Sequence, residues 1–119
     1  MKSLKGTINS LFDQDLPDNC QVVICIYDCS NLENNIQANL IQKYDIPLPK
    51  TFPIEYNIEY PYVDNSNKGL YHMSVRIFHN NEILYSNNCK DIIANQQKFR
   101  KHLDVFLYYL PFYNQIKEE

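Results

Sequence analysis

A strict alternation of apolar and polar side chains runs from Phe52 to Tyr60 and limits the possible folds more than any other feature of the chain. Successive side chains of a β-strand point to opposite faces, so this pattern predicts a strand with one face in the core and the other in water. The segment from Tyr71 to Ile77 alternates in the same way. Such segments, separated by proline and asparagine clusters at short intervals, are typical of an all-β domain.

The tetrapeptide His79-Asn80-Asn81-Glu82 separates two apolar segments and predicts a β-hairpin. Asparagine tolerates the positive φ angles that a two-residue hairpin turn requires. We therefore expect Ile83-Leu84-Tyr85 to fold back antiparallel to the preceding strand.

Several other segments have strand character. The stretch from Cys20 to Asp28 contains an apolar run rich in β-branched residues and predicts a buried strand, and Lys2 to Asn9 predicts the first strand. Residues 36–44 alternate before the phase slips, so a strand and a helical turn both stay open there. The prolines in the segment from Ile46 to Lys50 remove backbone donors, which predicts a connector or an edge strand.

The C-terminal part of the chain fits two kinds of structure. His102 to Leu110 alternates like a strand, yet the apolar residues from Phe99 to Leu110 also recur at helical spacing. Helix or strand therefore stays open for residues 97–110, and Pro111 ends either element.

The pattern as a whole predicts a single all-β domain over residues 1–110, followed by a C-terminal tail over residues 111–119. We expect a small antiparallel β-sandwich of about seven to eight strands. Two glycines exclude glycine-rich phosphate loops, and fifteen asparagines are available to make the turns instead. Lysines and arginines are scattered along a chain of net charge -3, which predicts no nucleic acid-binding surface.

No targeting or membrane segment is recognisable. Lys2 and Lys5 are not followed by an apolar run of the kind found in signal peptides, and no segment approaches the roughly 18 apolar residues of a membrane helix. We therefore expect a cytoplasmic protein with no membrane insertion.

The four cysteines are too far apart along the predicted strand to bridge locally. An extended chain places Cys25 and Cys29 roughly 13 Å apart, and Cys20 and Cys25 roughly 16 Å apart, whereas a disulfide needs Cα atoms within about 7 Å. We expect buried or half-buried free thiols, although a contact of Cys89 with Cys20 or Cys29 across the fold stays open. Lys90 beside Cys89 favours a lowered thiol pKa, which is the basis of an enzyme hypothesis that ranks third. No catalytic, cofactor-binding or metal-ligating residue is assigned.

A series of short motifs occurs in a fixed order over residues 3–109. They are Lys5-Gly6-Thr7-Ile8, Leu16-Pro17 before a strand that ends in Tyr27-Asp28, Ile46-Pro47-Leu48-Pro49 before Phe52-Pro53-Ile54-Glu55-Tyr56, and Ser74-Val75-Arg76-Ile77 before the Asn80-Asn81 hairpin. This order resembles the bacterial YbaY/YscW-type lipoprotein family, which includes chaperones of type III secretion called pilotins. The resemblance implies a small antiparallel β-sandwich that binds another protein and has no catalytic residues. Family members usually carry an export signal and a lipidated cysteine, and because neither is recognisable here, the secretin-chaperone role is not carried over from the resemblance.

The ten tyrosines are the residues most open to a functional interpretation. Tyr56, Tyr60 and Tyr71 lie on apolar strand faces, which predicts that they fill the core. The other aromatic residues are too many for a core of this size, and aromatic residues at a surface are enriched in protein interfaces. We therefore assign a candidate protein-binding set that consists of Tyr62, Tyr85, Tyr108, Tyr109, Phe112 and Tyr113.

The leading hypothesis is a non-enzymatic module that binds another protein, or a second copy of itself, as a chaperone, adaptor or assembly subunit. It would act through an exposed sheet edge or through the aromatic C-terminus. The alternative is a carrier of a small apolar ligand in a cavity between the sheets. Neither hypothesis requires a cofactor.

Overall fold

The computed structural model describes residues 1–11, 15–29, 39–47, 49–62 and 69–111. Strands carry nearly all of the regular structure in these residues, so the all-β prediction is confirmed. The described strands are β1 (Lys2–Ser10), β2 (Cys20–Asp28), β3 (Asn39–Pro47), β4 (Ile54–Tyr60), β5 (Leu70–His79), β6 (Glu82–Ser86), β7 (Asp91–Asn95), β8 (Lys98–Phe99) and β9 (Val105–Tyr109).

The strands form one continuous hydrogen-bonded path in the order β3-β2-β5-β6-β9-β1-β4. Off this path, β7 pairs with β5, and β8 pairs with β7. The path curls until its two edge strands approach each other. The contact between them is a hydrogen bond that the Tyr44 hydroxyl of β3 donates to the Glu59 carbonyl of β4. The result is a mixed sheet that is nearly closed into a barrel. The more specific expectation of two stacked layers stays a prediction.

The pairing of β1 with β9 corrects the prediction of a purely antiparallel sheet. Ile8 lies beside Val105 and Ser10 beside Leu107, with both strands running in the same direction. Strand patterns predict hairpin neighbours, which are antiparallel, whereas β1 and β9 come from opposite ends of the described chain. The strands number nine rather than seven to eight within the described residues, and one of them is the two-residue β8.

The predicted hairpin between β5 and β6 is confirmed. Asn80 and Asn81 have φ angles of 50° and 67°, and His79 pairs with Glu82 across the turn. Gln96 and Gln97 turn the chain in the same way between β7 and β8, with φ angles of 50° and 67°. Neither glycine has a positive φ angle, and the described residues with left-handed backbone are asparagines and glutamines together with Cys89.

Two segments that the pattern left open are strands. β3 covers the described part of residues 36–44 and continues to Pro47 at the edge of the sheet, as predicted for the proline-rich segment. Residues 36–38 lie outside the described residues. Near the C-terminus, β8 and β9 are strands, so the helical spacing is not used between Phe99 and Tyr109. Leu110 and Pro111 are helical directly after β9, so the expectation that Pro111 ends the preceding element is wrong.

Where β5 changes partner from β6 to β7, the side chain of Asn87 makes the hydrogen bonds that a neighbouring strand would otherwise make. Its Oδ1 accepts the Val75 N–H at 2.9 Å, and its Nδ2 donates to the Met73 carbonyl at 2.9 Å and to the Asp91 carboxylate at 2.7 Å. Asn87 is buried, and these bonds satisfy both halves of its amide. One polar side chain therefore continues the hydrogen-bond pattern of β5 through the gap.

The core contains the inward-facing side chains of the strands. Tyr56, Tyr60 and Tyr71 are all buried there, which confirms the prediction from the apolar faces. Aromatic clusters fill both ends of β4: Phe52 and Tyr85 meet near its start, and Tyr60 and Tyr71 near its end. Burial raises the pKa of Tyr60 to about 12.

Candidate protein-binding site

The last described strand presents one large apolar side chain to solvent. Val105 and Leu107 are 0% exposed, whereas Phe106 between them is 57% exposed. Strand side chains alternate between faces, so a phenylalanine between two buried neighbours must point outward. Phe106 lies beside Asn9 of β1, on the outer face of the parallel pair.

Tyr108 and Tyr109 follow on opposite faces of β9. The half-buried Tyr109 ring lies 5.1 Å from the ring of the buried Tyr85. Tyr108 is half-buried on the outer side, where the Lys90 Nζ lies 4.8 Å from its ring centroid and 3.4 Å from its hydroxyl oxygen. Of these two candidate residues, Tyr108 shares the outer face with Phe106.

Tyr85 is 1% exposed, so the expectation that it lies at the surface is wrong. Its ring packs between Phe52 at 5.2 Å and Tyr109 at 5.1 Å, and burial raises the pKa of its hydroxyl. The sequence placed Tyr85 at the end of a short strand, and only the inward turn of β6 shows that it is a core residue.

Tyr62 is half-buried at the far end of the sheet from Phe106. Its ring lies 5.0 Å from Tyr71 and 4.5 Å from Phe99, and its hydroxyl accepts a hydrogen bond from the Gln97 N–H at 3.3 Å. Phe112 and Tyr113, the other two candidates, lie outside the described residues. The structure therefore brings Tyr85 and Tyr109 together but separates Tyr62 from them, and the binding role of the candidate set stays a prediction.

The segment just before β9 is held against β1 by contacts with residues of β1 and β4. A Cβ atom built on Gly6 would overlap the Leu103 carbonyl oxygen, so the glycine allows this close approach. The Tyr56 hydroxyl donates to the same carbonyl at 2.6 Å. Phe106 is therefore presented on a backbone whose position is fixed by the core.

The Asp104 carboxylate closes the same junction. Its Oδ1 accepts the Thr7 hydroxyl at 2.9 Å and the Thr7 N–H at 3.0 Å, and it lies 3.1 Å from the His102 Nε2. The hydrogen bond from the Thr7 hydroxyl is the main reason that the pKa of Asp104 is lowered. We call this junction of β1 with residues 101–107 the seam.

The cysteines do not support the enzyme hypothesis. All four are free, and Cys20, Cys25 and Cys29 are buried whereas Cys89 is half-buried, as the spacing argument predicted. Burial raises the pKa of the Cys89 thiol, so the expected lowering by Lys90 is wrong. The Lys90 ammonium lies instead over the Tyr108 ring.

Two features of the outer face were missed by the sequence argument. Phe106 belongs to the aromatic C-terminal stretch but was not among the assigned residues, although its position between Val105 and Leu107 gives the alternation that would identify it. The other is a group of four cations, Lys2, Lys5, Arg100 and Lys101, which line one cleft. No sequence pattern indicates that these four cations lie together, because two of them are in β1 and the other two are near the C-terminus.

One family model matches most of the chain. The family model YscW, described as a type III secretion system lipoprotein chaperone, matches residues 1–105. The chain belongs to the YscW family. The resemblance inferred from the ordered motifs is therefore confirmed.

A solved structure supports the same fold. An alternative pilotin from the type II secretion system of Vibrio cholerae is similar, with a TM-score of 0.75 and 21% sequence identity over 89% of this chain and 94% of that chain. No curated protein matches the chain at a significant level. Among the described residues, no helix has the length and apolar character needed to span a membrane.

Proposed function

We propose that this member of the YscW family is a non-enzymatic chaperone that binds a secretin subunit of a secretion apparatus through the outer face of β9. Membership in a family of lipoprotein chaperones supports a protein-binding role in secretion. The raised pKa of Cys89 disfavours the thiolate that the enzyme hypothesis required.

The exposed Phe106 is the observation that carries this proposal. A ring that is 57% exposed lies on a strand whose adjacent side chains are fully buried. Covering a phenylalanine side chain is favourable by about 2 kcal/mol. Tyr108 extends the same face with a ring and a hydroxyl group, a combination that is enriched at protein interfaces.

Native mass spectrometry of the protein purified from its source tests the proposal. We expect a stoichiometric complex with a secretin subunit, and Phe106→Ser should reduce the bound fraction by about tenfold because it removes the exposed ring. Ile92→Ser is the matched control, since Ile92 is also an exposed apolar strand residue, 42% exposed, but lies on β7.

Three results would contradict the proposal. Equal complex formation by Phe106→Ser and the wild type would exclude the β9 face as the contact. A small apolar ligand in place of a protein would favour the carrier alternative. Self-association alone would show that the partner is a second copy of the chain.

We also propose, as a separate part, a cytoplasmic location. Fractionation of the source cells tests it. Recovery of the protein in the membrane fraction would overturn this part and leave the partner assignment in place.

A further inference from the structure

A basic cleft of about 520 Å³ lies along the first half of β1. Four of its lining side chains are cations: Lys2, Lys5, Arg100 and Lys101. The seam brings them together, because the Lys5 N–H donates to the Lys101 carbonyl at 3.2 Å and the Leu103 N–H donates to the Lys5 carbonyl at 3.0 Å. The cleft is thus built on a fixed backbone.

The positive charge of the basic cleft is not neutralised within the described residues. Glu59 is the one carboxylate among its lining residues, and none of the four cations belongs to a described ion pair. The Lys2 Nζ lies 4.1 Å from the Phe99 ring centroid, and the Arg100 Nε donates to the Ile92 carbonyl at 3.0 Å. An excess of cations is therefore concentrated here in a chain of net charge -3.

The cleft also offers backbone groups for an extended segment. Ser3 lies two residues before Lys5, so its backbone N–H and C=O point to the same edge of β1. No backbone hydrogen bond links Ser3 to residues 99–103 of the described chain. The end of an extended partner segment can pair with the Ser3 groups, whereas from Lys5 onward residues 101–103 occupy this edge.

The basic cleft ends at Lys5, and Phe106 lies farther along the same outer side of β1. Lys5 and Asn9 point to the same side of β1 and are roughly 13 Å apart along the strand. His102 lies beside Lys5 and Phe106 beside Asn9. An extended segment that occupies the cleft therefore reaches Phe106 about four residues farther along.

We propose that the basic cleft binds an acidic, extended segment of the protein partner, with its carboxylates at Lys5 and Lys101 and an apolar residue at Phe106. This inference rests on the protein-binding function proposed above. The carboxylates of a short segment contact only the cleft, whereas a nucleic acid or an anionic bilayer also meets the negative charge of the rest of the chain.

Fluorescence anisotropy with a labelled synthetic peptide tests the inference. The peptide has three adjacent aspartates followed, four residues later, by a phenylalanine, and a second peptide has asparagines in place of the aspartates. We expect the double variant Lys5→Glu/Lys101→Glu to bind the acidic peptide about tenfold more weakly at low ionic strength. The control, Lys43→Glu/Lys50→Glu, makes the same charge change at exposed lysines outside the cleft and should leave binding nearly unchanged.

Equal binding of the two peptides, or equal loss in the two double variants, would overturn the inference. Tighter binding to vesicles of phosphatidylcholine and phosphatidylserine in equal parts, lost only in Lys5→Glu/Lys101→Glu, would overturn it in favour of a membrane. Urea unfolding of both double variants checks the fold, and if the cleft variant is unstable, Lys101→Gln replaces it because it removes one exposed charge. The peptide experiment is independent of the Phe106→Ser experiment. The inference about the cleft can therefore be wrong while the proposed function is still correct.

Discussion

The β5–β6 hairpin and the seam between β1 and residues 101–107 position their strands by different means. The hairpin joins neighbours in sequence through Asn80 and Asn81, whose positive φ angles set the turn. The seam joins residues as far as 97 positions apart, as in the hydrogen bond from Thr7 to Asp104. The hairpin depends on local turn chemistry, whereas the seam depends on steric fit and on a few specific partners.

The proposed binding surfaces lie on the seam. Phe106 and the basic cleft both exist because residues 101–107 run beside β1. A change that loosens the seam should therefore weaken both stability and binding, whereas a change beside the β5–β6 hairpin should affect stability alone.

The substitution Gly6→Ala should cause the largest loss. The added Cβ would overlap the Leu103 carbonyl oxygen, a backbone atom that moves only with the seam, so we expect unfolding free energy to fall by about 3 kcal/mol or more. Gly69→Ala is the control, because its Cβ would meet the hydroxyl end of the half-buried Tyr62 side chain, and about 1 kcal/mol is expected. Urea denaturation measures both, and equal losses would contradict the role of Gly6.

Beside the β5–β6 hairpin, Asn87→Ala should lower the free energy of unfolding by about 2 to 3 kcal/mol. It leaves the Val75 N–H and the Met73 carbonyl without the partners that Asn87 supplies. Asn95→Ala removes an exposed amide and should stay within about 0.5 kcal/mol. Peptide binding by Asn87→Ala should remain near wild type at temperatures where it is folded, and a parallel loss of binding would show that the two regions are coupled.

Tyr56→Phe and Tyr60→Phe form a matched pair for the hydrogen bonds of the core. Tyr56→Phe removes the donor to the Leu103 carbonyl and should cost about 1 kcal/mol. The buried hydroxyl of Tyr60 has no described hydrogen-bond partner, so Tyr60→Phe should be neutral or slightly stabilising. Thermal unfolding distinguishes the two, and equal destabilisation would contradict the assignment of the seam bond.

The smallest effect should be the pH dependence of the seam. The pKa of Asp104 is lowered in the folded state, so its contribution is fully present above the ordinary value of about 3.9 and is lost as the pH falls through the lowered folded pKa. The thermal unfolding midpoints of the wild type and of Asp104→Asn should therefore differ at neutral pH and converge once the pH has fallen below the lowered folded pKa. Thr7→Val should reproduce this pattern, since it removes the hydroxyl donor, and a difference that is constant with pH would exclude the carboxylate as its source.

The sequence predicts the burial of a residue correctly where that burial depends on its neighbours in the same strand. Tyr56, Tyr60 and Tyr71 were assigned to the core because each stands in an alternating segment. Cys89 shows the limit of such inference, since its neighbour Lys90 points to the Tyr108 ring and burial dominates the thiol pKa. Tyr85 could not be placed because its burial depends on Phe52 and Tyr109, which are distant in sequence.

The sequence by itself determined the all-β class, the Asn80-Asn81 hairpin and the resemblance to the YscW family, and it limited the proline-rich segment to a connector or an edge strand. Each of these follows from periodicity, φ preference or ordered motifs, which are properties of neighbouring residues. Only the tertiary structure decided the parallel pairing of β1 with β9, the assembly of the basic cleft, and the need for glycine at position 6. These features depend on contacts between distant segments, whose energies have no signature in a local pattern.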